Sequence, residues 1–235
     1  MSAGAFALSF FDQDRDLYGT ARSGATVLFA GRKPTAHGEG PRLEDDGDGW
    51  RAELPDRLSL RLEPVSDEID LGGVTARVCR VSGNAQGRRI DCLGTFSVTS
   101  VAPRWEELDA LRSVSALVDQ DHALLALARR PRDASGHGDE EVRAGLLLDG
   151  AVHQVETARI STVYDAGGRQ RSAGLELWLP GEEYPRRGSG LVIAGSSFDL
   201  EAVQVHAAVF RWRLDGREGI GGYELMVRVE PPVAA

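Results

Sequence analysis

The sequence predicts an all-β protein built from two related halves. Three observations carry that prediction: short strand-like runs recur along the chain, glycine and aspartate punctuate them, and one motif occurs twice. Period-two alternation of apolar and polar residues marks strands with one buried face. Helical spacing is scarce by comparison.

The runs follow in order. Ala25-Thr26-Val27-Leu28-Phe29-Ala30 is apolar and stops at Gly31. Leu58-Ser59-Leu60-Arg61-Leu62-Glu63 alternates up to Pro64. Val74 to Val81 alternates again, the cluster Ser82 to Gly87 reads as a turn, and Arg89 to Val98 returns, which predicts a hairpin. Further runs span 144–148, 152–157, 174–179, 191–194, 203–214 and 222–229. Turns at this spacing suit a meander or a barrel. The stretches Pro34 to Gly49 and Pro131 to Glu141 are polar and glycine-rich, so they are expected as long loops. Pro103 to Leu111, with Leu108 and Leu111 three apart, is expected to form about two helical turns.

The motif that occurs twice is apolar-DQD-x-x-L-x-x-x-A-R. It runs from Phe11 to Arg22 and again from Val118 to Arg129, at a constant offset of 107. A second echo pairs Ile90-Asp91-Cys92-Leu93 with Ile220-Gly221-Gly222-Tyr223 at an offset of 130. The growing offset places an insertion in the second half, around Pro131 to Glu141. Each half would be a curved sheet, and two such sheets bury their apolar faces by packing together. The expected division is residues 1–105, a connector over 106–113, and residues 114–235. The plainer alternative is a single β-sandwich with an accidental echo. The repeated Asp-x-Asp is expected to open a turn, because aspartate caps backbone N–H groups there.

Bulk properties narrow the function. The chain has 235 residues, 42% of them hydrophobic, enough for a sizeable core. A net charge of -9, with Lys33 the only lysine, disfavours nucleic acid, whose phosphates an acidic surface repels. No leader-like start and no run of about 18 apolar residues appears. The expectation is a soluble, cytoplasmic chain without an integral membrane segment and with free thiols at Cys79 and Cys92. Two cysteines fall short of a zinc site, so they are read as small buried hydrophobes. Phosphate-loop, dinucleotide and nucleophile-elbow motifs are missing, and no cofactor or metal is expected. A homo-oligomer is compatible with the sequence.

Several motifs carry candidate chemistry. Ser135-Gly136-His137-Gly138-Asp139-Glu140-Glu141 gathers an imidazole and three carboxylates within a glycine-flanked stretch. A buried carboxylic acid there would donate a proton to an alkene or enol, with His137 as base or orienting group. An ordinary solvated loop is the alternative. Tyr164-Asp165 precedes Ala166-Gly167-Gly168: either Asp165 starts a hairpin turn, or phenol and carboxylate sit at a barrel mouth. Glu176 and Trp178 share one strand face. In one reading Trp178 stabilises a cation beside Glu176. In the other, Leu175 and Leu177 fill the core and Glu176 faces solvent. Phe210 and Trp212 share a face as pocket walls or as a half-buried strand, and Arg186 is a candidate carboxylate clamp or a surface turn residue. His122, His153 and His206 read as structural or exposed.

The duplicated halves, Thr162-Val163-Tyr164-Asp165-Ala166-Gly167-Gly168, Leu175-Glu176-Leu177-Trp178 and Gly219-Ile220-Gly221-Gly222-Tyr223-Glu224 together resemble the two-domain lipocalin-like proteins related to carotenoid 1,2-hydratase and AttH. The resemblance implies two tandem lipocalin-like (calycin-like) halves, each a β-barrel or curved sheet, enclosing an apolar cavity. It also implies a hydrophobic ligand of polyene or terpene type, and hydratase, cyclase, isomerase or carrier activity without a redox cofactor. On that basis His137, Asp139, Glu140, Tyr164 and Glu176 are the candidate acid–base groups. Trp178, Phe210, Trp212 and Arg186 are the candidate ligand contacts. A filled barrel acting as an interaction module is the remaining alternative.

Overall fold

The computed structural model describes residues 5–135, 139–200 and 202–229. In the first half the strands are β1 (Ala5–Asp12), β2 (Leu17–Arg22), β3 (Ala25–Ala30), β4 (Lys33–His37), β5 (Arg42–Asp45), β6 (Trp50–Leu54), β7 (Leu58–Pro64), β8 (Ile69–Asp70), β9 (Val74–Ala85) and β10 (Arg88–Thr99). In the second half they are β11 (Leu108–Asp119), β12 (His122–Pro131), β13 (Glu141–Leu148), β14 (Ala151–Gln154), β15 (Thr157–Tyr164), β16 (Gln170–Trp178), β17 (Arg186–Leu200), β18 (Val203–Leu214) and β19 (Arg217–Arg228). No helix long and apolar enough to cross a membrane occurs among the described residues.

Each half is one curled antiparallel sheet. The first has the order β4-β3-β2-β1-β10-β9-β7-β6-β5, with β8 added on β9. The second has the order β14-β13-β12-β11-β19-β18-β17-β16-β15. Strand for strand the two paths coincide. The curl brings each sheet's outer strands back on themselves. In the second sheet β15 returns to lie against β13.

Three apolar clusters hold the molecule. One lies inside the first sheet, around Leu8, Phe10, Leu62, Ile90 and Phe96. A second lies inside the second sheet, around Val114, Leu124, Leu175, Phe210 and Trp212. A third lies between the halves and draws on Phe11, Phe29, Leu117, Leu125, Val205 and Val209. This third cluster explains why β18 is apolar on both faces over much of its length: one face lines its own sheet, the other meets the first half. Each such side chain contributes about 1.5–3 kcal/mol on burial. A partly buried ion pair, Arg22 with Glu224, also crosses between the halves, and the Thr20 hydroxyl donates to Glu224 at 2.6 Å.

The turns follow their chemistry. Gln86-Gly87, Asp149-Gly150 and Asp215-Gly216 all have positive φ at both positions, the geometry of two-residue hairpins that match strand twist. Asp12 and Asp119 open their turns as expected: each carboxylate accepts a backbone N–H, from Arg15 at 3.1 Å and from Asp121 at 2.9 Å.

Several expectations need correction. The segment Pro103 to Leu111 is not helical: one turn closes from Arg104 O to Glu107 N, and β11 begins at Leu108. Pairing with β12 and β19 on both sides outweighs a two-turn helix. The segment 34–49 is not one loop, because it supplies β4 and β5, whose polarity reflects their exposed positions at the two ends of the sheet. The Ser82 to Gly87 turn shrinks to Gln86-Gly87, with Ser82 to Ala85 in β9. The second echo is out of register. The matching hairpins align at an offset of 129, so Ile90 lies inside its sheet while Ile220 faces the other half. A one-residue slip in a strand moves a side chain to the opposite face. An insertion is present at the expected place, since Ser23 and Gly24 join β2 to β3 whereas residues 132–140 join β12 to β13, but it supplies only part of the growth in offset.

The cysteines sit on neighbouring strands but not opposite each other. Cys79 pairs with Gly94 and Cys92 with Val81, both thiols are free, and burial pushes each up to about 12.

Candidate functional site

The duplication supplies an internal control. Register fixes the counterparts: Leu8 pairs with Ala21 and Phe96 in the first sheet, as Arg112 pairs with Ala128 and Leu225 in the second. By the same pairing Ala110 matches Phe6, Leu225 matches Phe96, and Tyr223 matches Gly94. In the first half this end is plugged. Phe6 stacks on Phe96 with centroids 6.5 Å apart, and Trp50 stacks on Phe96 at 3.8 Å. In the second half alanine and leucine replace the two phenylalanines, and a cavity of about 450 Å³ opens there.

Arginine and tyrosine stand where the first half has leucine and glycine. Arg112 is 1% exposed. Its guanidinium donates to Thr162 Oγ1 at 3.1 Å, Tyr223 OH at 3.2 Å and Ile160 O at 3.2 Å, and it forms an ion pair with Glu140. The Glu140 carboxylate, on the inserted segment, is equally buried at 2% exposure. Tyr223 and Thr162 hydroxyls lie 2.6 Å apart, and burial pushes the Tyr223 phenol up to about 12. The two hydroxyls carry two protons and share one bond, so one proton remains to be donated elsewhere. Gln170, also buried, donates to His206 O and Tyr223 O, both at 3.1 Å, and ties β16 to β18 and β19.

The cavity is lined by Arg112, Arg130, Arg132 and Arg228, by Asp109 and Glu140, by Tyr164, and by Ala110, Leu225 and Val227. Of the residues singled out in the sequence, Glu140 and Tyr164 meet here. Asp165 does not act with Tyr164. It caps its hairpin, accepting N–H groups from Gly167 at 2.8 Å and Arg169 at 3.0 Å. Asp139 accepts both the N–H and the hydroxyl of Ser135 at 2.8 Å. His137 lies outside the described residues.

The other candidates are elsewhere. Leu175 and Leu177 take the inner face of β16, so Glu176 and Trp178 lie on its outer face. There Glu176 is 3.7 Å from Arg187, and the Arg159 guanidinium sits 5.4 Å over the Trp178 ring. Phe210 and Trp212 are fully buried, stack at 5.2 Å and fill the sheet interior away from this cavity. Arg186 is held by Glu182 at 2.8 Å and Asp215 at 3.1 Å in a surface network. His206 is buried rather than exposed. Its Nδ1 is 2.7 Å from the Ser197 hydroxyl, and burial holds it below the usual imidazole value.

Sequence reading missed Arg112, Thr162, Gln170 and Tyr223 as a set. One signal for Arg112 was present: Ala110-Leu111-Arg112-Ser113-Val114 places an arginine on the strand face shared by Ala110 and Val114.

No family model and no curated protein matches the sequence. Solved structures do resemble it. A candidate AttH from Nitrosomonas europaea aligns at 15% identity over 96% of this chain and 92% of its own, with a TM-score of 0.65. Kievitone hydratase from Nectria haematococca aligns at 8% identity over 97% of this chain and 89% of its own, with a TM-score of 0.63. Identities this low speak for architecture and leave activity open. The chain therefore has the two-half, lipocalin-like all-β fold that its sequence resembles.

Proposed function

We propose that the chain binds a hydrophobic small molecule in the second-half cavity and acts on it by proton transfer without a cofactor. The observation that carries this reading is the contrast between the halves: one end plugged by aromatic rings, its counterpart open and furnished with Arg112, Glu140 and Tyr164. Ala110, Leu225 and Val227 offer an apolar wall, and the charged groups converge beside it to orient a ligand. Adding water across a polarised double bond requires one proton to be taken from water and another delivered to carbon. A carboxylate and a phenol lining one cavity supply both ends. Isomerisation or cyclisation uses the same pair. That one structure of this fold is a hydratase supports hydration by analogy.

The test starts with native mass spectrometry of freshly purified protein, to identify a retained small molecule. Glu140→Gln is then expected to lower turnover of that compound or its precursor at least a hundredfold while uptake persists. Unchanged turnover refutes the assignment. A carrier role is the second reading, favoured by the full burial of Glu140 against Arg112, which suits a fixed counter-charge. It predicts uptake without turnover in the unaltered protein.

A further inference from the structure

We infer that the ligand of this cavity is an amphiphile whose polar end is a carboxylate. The inference rests on the cavity being the binding site and adds the class of molecule. Four arginines and two carboxylates line the cavity, an excess of two positive charges in a chain of net charge -9. The arginines are unequally engaged. Arg112 meets Glu140, Arg132 reaches Asp109 only at 3.9 Å, and Arg228 donates to Trp105 O at 3.3 Å. Arg130 makes no ion pair within 4.0 Å among the described residues, and the Nε atoms of Arg130 and Arg112 are both buried without a hydrogen-bond partner. A buried N–H left unpaired costs about 1–3 kcal/mol, more when charged. The Arg130 guanidinium lines the cavity without an acceptor among the described residues, and it is the group an incoming anionic oxygen would pair with.

Guanidinium groups recognise carboxylates and phosphates alike, by parallel N–H donors. The lining selects between them. Arg112 and Arg132 already face carboxylates and Arg228 a carbonyl, so Arg130 is the one guanidinium of the four without an acceptor among the described residues, and a single carboxylate matches it. The apolar part of the wall, Ala110, Leu225 and Val227, takes the ligand's body. The plugged first half carries Leu8 in place of Arg112, so the charge accompanies the opening.

The test is calorimetric titration of the full chain with decanoate, decanol and decyl phosphate at equal ionic strength. Decanoate is expected to bind at least tenfold tighter than either of the others. Arg130→Gln is expected to reduce the preference over decanol to below threefold, with decanol affinity unchanged. Arg132→Gln, at an exposed position, serves as a second variant should Arg130→Gln fail to fold, and is expected to halve the preference or more. Equal affinity for decanoate and decanol overturns the carboxylate assignment and leaves the cavity standing. Tighter binding of decyl phosphate overturns the choice of a monoanion. Binding of none of the three overturns both the assignment and the cavity reading beneath it.

Discussion

Replacing Arg112 by leucine, its counterpart in the first half, is expected to destabilise the protein far more than removing Arg112 and Glu140 together. Both side chains are about 2% exposed. Breaking a buried ion pair by removing one member costs about 3–5 kcal/mol. The Thr162 and Tyr223 hydroxyls keep their mutual bond and add little to the loss. For a chain of this size each kcal/mol lowers Tm by about 2–4 °C, so Arg112→Leu is expected to lower it by about 6–20 °C. Arg112→Leu with Glu140→Leu removes both charges, and replacing a buried pair by apolar residues is neutral to stabilising by about 1–4 kcal/mol. Thermal and urea unfolding of the wild type, both single variants and the double variant, followed by circular dichroism, give the coupling energy as a double-mutant cycle. A single-variant loss below about 1 kcal/mol, or a double variant as unstable as Arg112→Leu, would refute the claim that these charges are buried against each other.

Three further outcomes are expected. Ala110→Phe with Leu225→Phe transplants the first-half plug. Uptake of small molecules, read by native mass spectrometry, should be lost while the far-ultraviolet spectrum is kept; retained uptake would place the ligand outside this cavity. Burial holds His206 below its ordinary 6.5, so the unfolded chain takes up that proton first as pH falls. Its share of stability is full above about pH 6.5 and declines below it, and His206→Asn should flatten that part of a Tm-against-pH profile. Both thiols are pushed up to about 12, so a thiol reagent at pH 8 should modify neither Cys79 nor Cys92 until the protein is unfolded; rapid labelling of the native chain would contradict their packing.

Much of the architecture was legible because strand signals are local. Alternation at Leu58 to Glu63 and at Val74 to Val81 needs only neighbouring residues to read, and so do the glycine and aspartate turns. The duplicated DQD motif pointed to two halves, and the identical strand paths carry that through. The inserted segment that bears Glu140 also lies where it was expected. What failed was whatever depended on a partner far along the chain. Leu108 to Leu111 is strand because β12 and β19 flank it. Glu176 and Trp178 share a face, but only packing decides that the face is the outer one. Arg186 offered a free guanidinium in sequence and is tied to Glu182 and Asp215 in space.

The sequence by itself determined most of the strands and turns and the two halves, because backbone propensity and short-range pattern fix these. The tertiary structure alone decided the site. Arg112, Glu140, Thr162 and Tyr223 lie on four separate segments, and they meet only because the second sheet curls. The open end beside them exists because Ala110 and Leu225 are smaller than Phe6 and Phe96, a difference that acquires meaning only once strand pairing has set which residues correspond.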